Sequence, residues 1–267
     1  MPNLGLSVVL MGFLAGVSIF RVVHSACLRH IQSKVTARLL PKNPSHHLVD
    51  PRVQFTLALI LGSMIVRSIA LLCILPILHH FISLVSAPAH YVFALNATEE
   101  WLGLAVCALF NGEYIWELLH APNVPPNMIV HHCSSIFMCL VSCHCGLYDD
   151  MGFIYAFGVL ILHPVYLGKF LRQAKSSSSY PVWRVGIFYN LIAEGLGTAI
   201  PVYILYHQNL TGMDLMIKGA TVLALTIVKC SVANSLRKGL AKCVVEKCDI
   251  TDAVVGEILG MPHLLTK

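Results

Sequence analysis

Charge is the scarcest property of this chain. Aspartate, glutamate, lysine and arginine make up only 12% of its 267 residues, about half the share found in a soluble domain. That deficit excludes a water-soluble globule. A basic stretch ahead of the first apolar run is also missing. The first basic residue, Arg21, follows that run, and His24 stands where a cleavage site would want a small residue before Ala26. The run therefore reads as a retained anchor and not as a cleaved signal peptide. Cysteine is present, but a second pair at zinc spacing is not. Cys143-His144-Cys145 stands alone, and Cys73, Cys107, Cys133, Cys139 and Cys230 fall inside apolar runs. There a thiol behaves as a small apolar group, so no metal centre is expected. Internal repeats are absent as well. The net charge of +5 belongs mostly to loops facing anionic lipid and is not a nucleic-acid signal.

What the chain does have is hydrophobic length. Hydrophobic residues make up 57% of it and the mean hydropathy is +0.74. Apolar windows of about 20 residues recur, each long enough to cross about 30 Å of hydrocarbon. Seven spans are predicted, Leu4–Val23, Phe55–Leu78, Trp101–Leu119, Met128–Leu147, Met151–Leu171, Val185–Tyr206 and Asp214–Ser235. The fold class expected is all-α, an integral membrane bundle of seven transmembrane helices. Phe81–Leu95 is apolar too, but it is short and broken by Pro88, which suits a re-entrant or interfacial stretch.

With Met1 outside, 16 of the 18 lysines and arginines, all but Arg67 and Lys218, fall on the cytosolic side. This asymmetry predicts a lumenal N-terminus and a cytosolic C-terminus. The sequons at Asn96 and Asn209 both fall on the lumenal side under this assignment. Residues 1–54 read as an N-terminal anchor followed by a basic segment, 55–236 as a six-helix domain, and 237–267 as a basic cytosolic tail. Within the first unit, His30 to Leu40 is expected to form a basic helix on the membrane surface, with His46 and His47 solvated in a loop. Ser176–Ser179 reads as a flexible linker, and Cys243 and Cys248 are palmitoylation candidates.

Against this apolar background the ionisable residues stand out, because inside a membrane they are costly and mark sites by default. Glu113, Glu117 and His120, spaced i, i+4, i+7, share one face of the third helix. His131 and His132 open the fourth span, His163 ends up at a similar depth in the fifth, and Arg67, Asn190 and Glu194 lie at middle or slightly cytosolic depth. An imidazole can act as base, nucleophile or ligand, which gives the doubled histidine its interest. The plain alternative is that these groups hold helices together by satisfying one another.

The stretch Asn111-Gly112-Glu113-Tyr114-Ile115-Trp116-Glu117-Leu118-Leu119, followed by Met128-Ile129-Val130-His131-His132, resembles the TLC-domain (TRAM–Lag–CLN) family. Members show a Gly-Tyr-x-x-x-Asp-Leu-like segment and then a helix opening on His-His; Glu117 stands here in place of the aspartate. The resemblance covers about residues 55 to 236 and implies a TLC-type six-helix bundle after the N-terminal anchor. It also implies residence in the endoplasmic reticulum or another endomembrane, and a role in lipid metabolism. Ceramide synthases of this family N-acylate a sphingoid base from acyl-CoA and carry a His-Asp-x-x-Asp-like segment in the next helix. Here the comparable residues are His163-Pro164-Val165-Tyr166-Leu167, without either acid.

Two readings follow. In the first, the chain binds lipid in a cytosol-facing cavity and regulates or handles membrane lipids. In the second, it is an acyltransferase with acyl-CoA as co-substrate and no other cofactor, in which His131 or His132 is base or acyl acceptor, oriented by Glu117. Glu113, His163, Arg67, Asn190 and Glu194 are the expected substrate-binding groups in either case. Membrane lipids are the expected partners, and a homodimer is compatible with such a bundle. Fatty-acid elongases fit less well, since Met128 occupies the first position of their His-x-x-His-His box. A seven-helix receptor lacks its Asp-Arg-Tyr-like and Asn-Pro-x-x-Tyr-like segments here, and a haem protein would need more facing histidine pairs.

Overall fold

The computed structural model describes residues 5–87, 95–121, 124–145, 163–207, 212–240, 242–243 and 249–261. Among the described residues every regular element is helical. Helix α1 (Leu6–Arg38) is one uninterrupted rod of 33 residues, about 50 Å long at 1.5 Å per residue. The surface helix expected at His30 to Leu40 is thus the continuation of the first span, because no glycine or proline between His24 and Arg38 breaks it. Its buried residues, Val9, Phe13, Gly16, Phe20, His24, Cys27, Ile31 and Val35, fall every three or four positions along one stripe.

Asp50 caps helix α2 (Pro51–Ile74), its carboxylate accepting from the Arg52 N–H at 2.8 Å, with Pro51 in the first helical position. Pro76 tightens the path into a 3-10 turn, Leu75–Ile77, before α3 (Leu78–Ser86). Helix α4 (Ala97–His120) opens on a reciprocal capping box between Asn96 and Glu99. Then follow α5 (Pro126–Cys145), α6 (His163–Gln173), α7 (Ser179–His207), α8 (Gly212–Leu240) and α9 (Asp249–Ile258). Four helical stretches, Leu6–Arg38, Pro51–His80, Ala97–His120 and Ser179–His207, are long and apolar enough to cross a membrane.

Helices α1, α2 and α4 pack on one another; α5 lies on α4, α6 on α2, α7 on α6 and α8 on α7. At the α1–α4 crossing the backbones touch. A Cβ on Gly16 would stand 1.9 Å from the Ala108 carbonyl oxygen, and one on Gly112 would stand 2.2 Å from the Gly16 carbonyl carbon. Small residues permit such an approach, and dispersion between the helices rewards it. Trp183 of α7 is wedged between α6 and α8, its indole N–H donating to the Leu236 carbonyl at 3.0 Å. The outer faces carry Leu10, Met11, Leu14, Val22, Leu72, Val185, Phe188 and Leu196, all exposed. A surface this apolar suits lipid and not water.

A second core gathers at the basic end. Ile31, Val35 and Leu39 from α1, Leu48 and Leu57 around the start of α2, Phe170 and Leu171 from α6, and Val254, Val255 and Ile258 from α9 are buried together. Polar contacts secure it. Arg38 grips Glu257 through two nitrogens at 2.9 and 3.2 Å, and His30 Nε2 donates to the Ile258 carbonyl at 3.1 Å. His46 and His47 are not solvated: they are half-buried, His46 Nε2 pairing with Thr251 Oγ1 at 3.1 Å and His47 Nε2 with the Ala174 carbonyl at 2.9 Å. The serine stretch is no loose linker either. Ser176 and Ser179 are buried. Ser176 Oγ, the Ser177 N–H and Ser177 Oγ all donate to the Asp252 carboxylate.

Candidate functional site

The junction of α2, α4, α5 and α6 holds the densest polar cluster. Arg67, midway along α2, and Glu113, on the buried face of α4, form an ion pair at 2.8 Å with both side chains 1% exposed. Three rings surround the guanidinium: Tyr166 at 4.4 Å, Phe110 at 5.0 Å and Tyr114 at 6.0 Å from the ring centroids. Tyr166 also points its hydroxyl at Glu113 Oε1, 3.5 Å away. Desolvating two charges offsets much of their attraction, so such a pair is weak evidence for stability alone.

One turn further along α4, Glu117 Oε2 accepts a hydrogen bond from His132 Nε2 at 3.1 Å. The carboxylate can only accept, so this bond places a proton on Nε2 and leaves Nδ1 as the nitrogen turned away from Glu117. His132 is buried and stacks on Tyr114 at 4.3 Å and 23°, while His131, half-buried, meets the same ring edge-on at 5.7 Å. Adjacent helical residues diverge by about 100°, and Tyr114 bridges the two directions. Lys169 of α6 lies 4.8 Å over the Tyr166 ring, attracted by Glu117 and Glu113 and opposed by Arg67.

Several buried polar atoms here have no hydrogen-bond partner among the described residues: Glu113 Oε2, His131 Nδ1, His132 Nδ1 and Trp116 Nε1. Buried groups in folded proteins are nearly always paired, so a concentration of exceptions on two neighbouring helices points to a polar guest. Glu113 Oε2 asks for a donor, the indole N–H asks for an acceptor, and the two Nδ1 atoms take either role according to the protonation of their rings.

The structure thus brings together Arg67, Glu113, Glu117, His131 and His132 of the residues singled out in the sequence. His163 is adjacent but occupied, its Nε2 lying 2.9 Å from Ser68 Oγ and 3.2 Å from the Met64 carbonyl on α2. Asn190 is buried on α7 with no partner for its Oδ1 among the described residues, and no described contact joins it to the cluster. Glu194 lies on α7 with its side chain outside the described residues, as do the side chains of Cys143, His144 and Cys145 and the whole of Asp149 and Asp150. His120 faces outward, stacked on Trp116 at 3.8 Å. Sequence reasoning missed Tyr114, Tyr166 and Lys169. The i, i+3, i+6 spacing of His163, Tyr166 and Lys169 was the available signal for the last two.

Comparison with family models, with curated proteins and with solved structures returns no match.

Proposed function

We propose that this chain is a TLC-type membrane protein of seven spans that binds lipid and regulates or handles membrane lipid composition in an endomembrane such as the endoplasmic reticulum. Its N-terminus is lumenal in this reading and its basic C-terminal stretch cytosolic. The observation that carries it is the cluster of Arg67, Glu113, Glu117, His131 and His132, with polar atoms left unpartnered inside helices whose outer faces are apolar. A lipid head group bearing hydroxyl or amine groups supplies a donor for Glu113 Oε2 and can pair with the two Nδ1 atoms in either role. The seven spans rest on the hydropathy of the sequence and on the reach of α5 and α8 beside the four long apolar helices. The charge bias of the loops supports the orientation.

One feature favours the acyltransferase as a second reading. Glu117 orients His132 as a carboxylate orients a catalytic imidazole, with the basic nitrogen left over. In that chemistry Nδ1 takes the proton of an accepting hydroxyl or amine as it attacks the thioester of acyl-CoA. The coenzyme A thiolate leaves and receives the proton.

Lipidomics with a labelled fatty acid separates the two. Cells expressing the wild type are compared with cells expressing His131→Ala/His132→Ala at matched protein level, and lipid co-purifying with each protein is measured by native mass spectrometry. A labelled product formed only by the wild type establishes the acyltransferase. Unchanged label, with bound lipid lost from the double variant, establishes the binder. If the wild type yields neither product nor bound lipid, both readings fall.

A further inference from the structure

A second cluster of ligand-type side chains lies at the far end of α2, remote from the lipid cluster. His79 and His80 stand side by side at the start of α3, their ring centroids 4.0 Å apart, and both face Glu99 in the first turn of α4. His80 Nε2 donates to Glu99 Oε2 at 3.2 Å, a proton that metal binding at this nitrogen displaces, and His79 Nε2 lies 3.9 Å from Glu99 Oε1. One donor atom from each of the three lies within 4.8 Å of the other two. Twelve residues of helical path from Arg67 to His79 amount to about 18 Å, so this is a separate site.

The hydrogen bonds around it are those of a metal centre's outer shell. His79 Nδ1 is 2.9 Å from the Pro76 carbonyl, which can only accept, so Nδ1 carries the proton. In the neutral ring Nε2 then presents a lone pair to a carboxylate oxygen, two acceptors facing each other. That arrangement is relieved either by a second proton on the ring or by a metal cation held between the two atoms. A histidine whose other nitrogen donates to a backbone carbonyl is the usual ligand geometry in metal sites. Glu99 is equally fixed. Its Oε2 accepts the Asn96 N–H at 2.8 Å, and its own N–H donates to Asn96 Oδ1 at 3.0 Å. The cap holds one carboxylate oxygen and leaves Oε1 turned toward His79.

We propose that His79, His80 and Glu99 bind one divalent transition-metal ion, Zn²⁺ foremost, through Nε2, Nε2 and Oε1. Two imidazoles and one carboxylate with a position left for water form a ligand set that zinc accepts. Bonds of about 2.0–2.1 Å put tetrahedral ligands about 3.3 Å apart, so the ring of His79, which is exposed, swings inward on binding. The metal fastens α3 to the start of α4, joining the two ends of the chain segment between them. No sequence motif announces this site, since its ligands come from adjacent residues on one helix and a capping residue on another. The inference stands independently of the lipid reading.

The test is zinc titration of the purified full chain in detergent after chelator treatment and dialysis, with a chromophoric chelator as competitor. Co²⁺ absorption provides a second readout of the coordination. The wild type is expected to bind one Zn²⁺ per chain saturably. His79→Ala removes an exposed ligand without touching the core, and is expected to weaken that binding by at least about tenfold, the scale at which even outer-shell groups act. Glu99→Gln retains a residue suited to the capping box and is expected to weaken it likewise, which separates ligation from folding. His46→Gln/His47→Gln serves as the control and binds as the wild type does. Absence of saturable binding in the wild type overturns the site, as does equal binding by wild type, His79→Ala and Glu99→Gln.

Discussion

Arg67 and Glu113 are charges in an apolar interior, and what matters for each is what happens when its partner is removed. Glu113→Gln leaves a buried guanidinium without its counter-charge, which costs about 3–5 kcal/mol where such pairs have been broken. The expected result is a large fall in the thermal midpoint of the detergent-solubilised protein. Arg67→Met/Glu113→Leu removes both charges and is expected to recover much of that loss, since an apolar pair of similar volume needs no desolvation. If the double variant also loses bound lipid, the pair serves the site and not the fold. Glu117→Gln asks a narrower question. An amide oxygen still accepts from His132 Nε2, so orientation is kept while the negative charge is lost. Under the acyltransferase reading turnover falls with expression unchanged, and the product yield of labelled fatty acid measures it. These charged residues were legible in the sequence because an ionisable side chain in an apolar run has no ordinary reason to be there. Tyr114 and Tyr166 were not, because an aromatic residue in an apolar run is what any helix core contains.

At the scale of elements, the α1–α4 crossing depends on two missing side chains. Gly16→Leu or Gly112→Leu places atoms where backbone already lies, and the helices must part. The expected outcome is loss of monodisperse protein on size-exclusion chromatography in detergent. Gly195→Ala and Gly219→Ala are the contrast, since a Cβ there meets nothing within 4 Å. Alanine in place of glycine within a helix is worth up to about 1 kcal/mol, so these variants are expected to match or exceed the wild-type thermal midpoint. Hydropathy located α1, α2, α4 and α7 well, because a spanning helix must be long and apolar. It could not locate this crossing, since a glycine's value there depends on which helix lies opposite. Nor could it foresee that α1 runs unbroken past Arg29. Basic residues change the environment a helix suits, but they do not end it.

On the scale of the whole molecule, α9 ties the basic end together by packing Val254, Val255 and Ile258 against α1, α2 and α6. A helix of ten residues, Asp249–Ile258, gives too short a pattern to announce such docking from sequence. His46 and His47 sit in this assembly, and burial pushes both imidazoles below the ordinary histidine range, with Lys175 pressing the same way. Undocking α9 frees His46 from Thr251 and exposes its ring, which then takes up a proton more readily toward pH about 6.5, whereas in the docked form burial resists it. Docking is therefore fully favourable above that pH and weakens as pH falls through the lowered values. Protonating His46 Nδ1 also removes the acceptor of the Leu48 N–H. Hydrogen exchange across 249–258 is expected to quicken, after correction for intrinsic rates, between pH 7.5 and pH 5.5, and His46→Gln/His47→Gln is expected to flatten the change. The same docking orders events during synthesis. The stripe of Ile31, Val35 and Leu39 emerges from the ribosome about 220 residues before Val254, a wait of roughly 10–45 s at ordinary elongation rates. Through that interval the stripe lacks the cover that Val254, Val255 and Ile258 give it. A chain halted before Asp249 never gains that cover, and so carries on its surface an apolar patch that quality control can read.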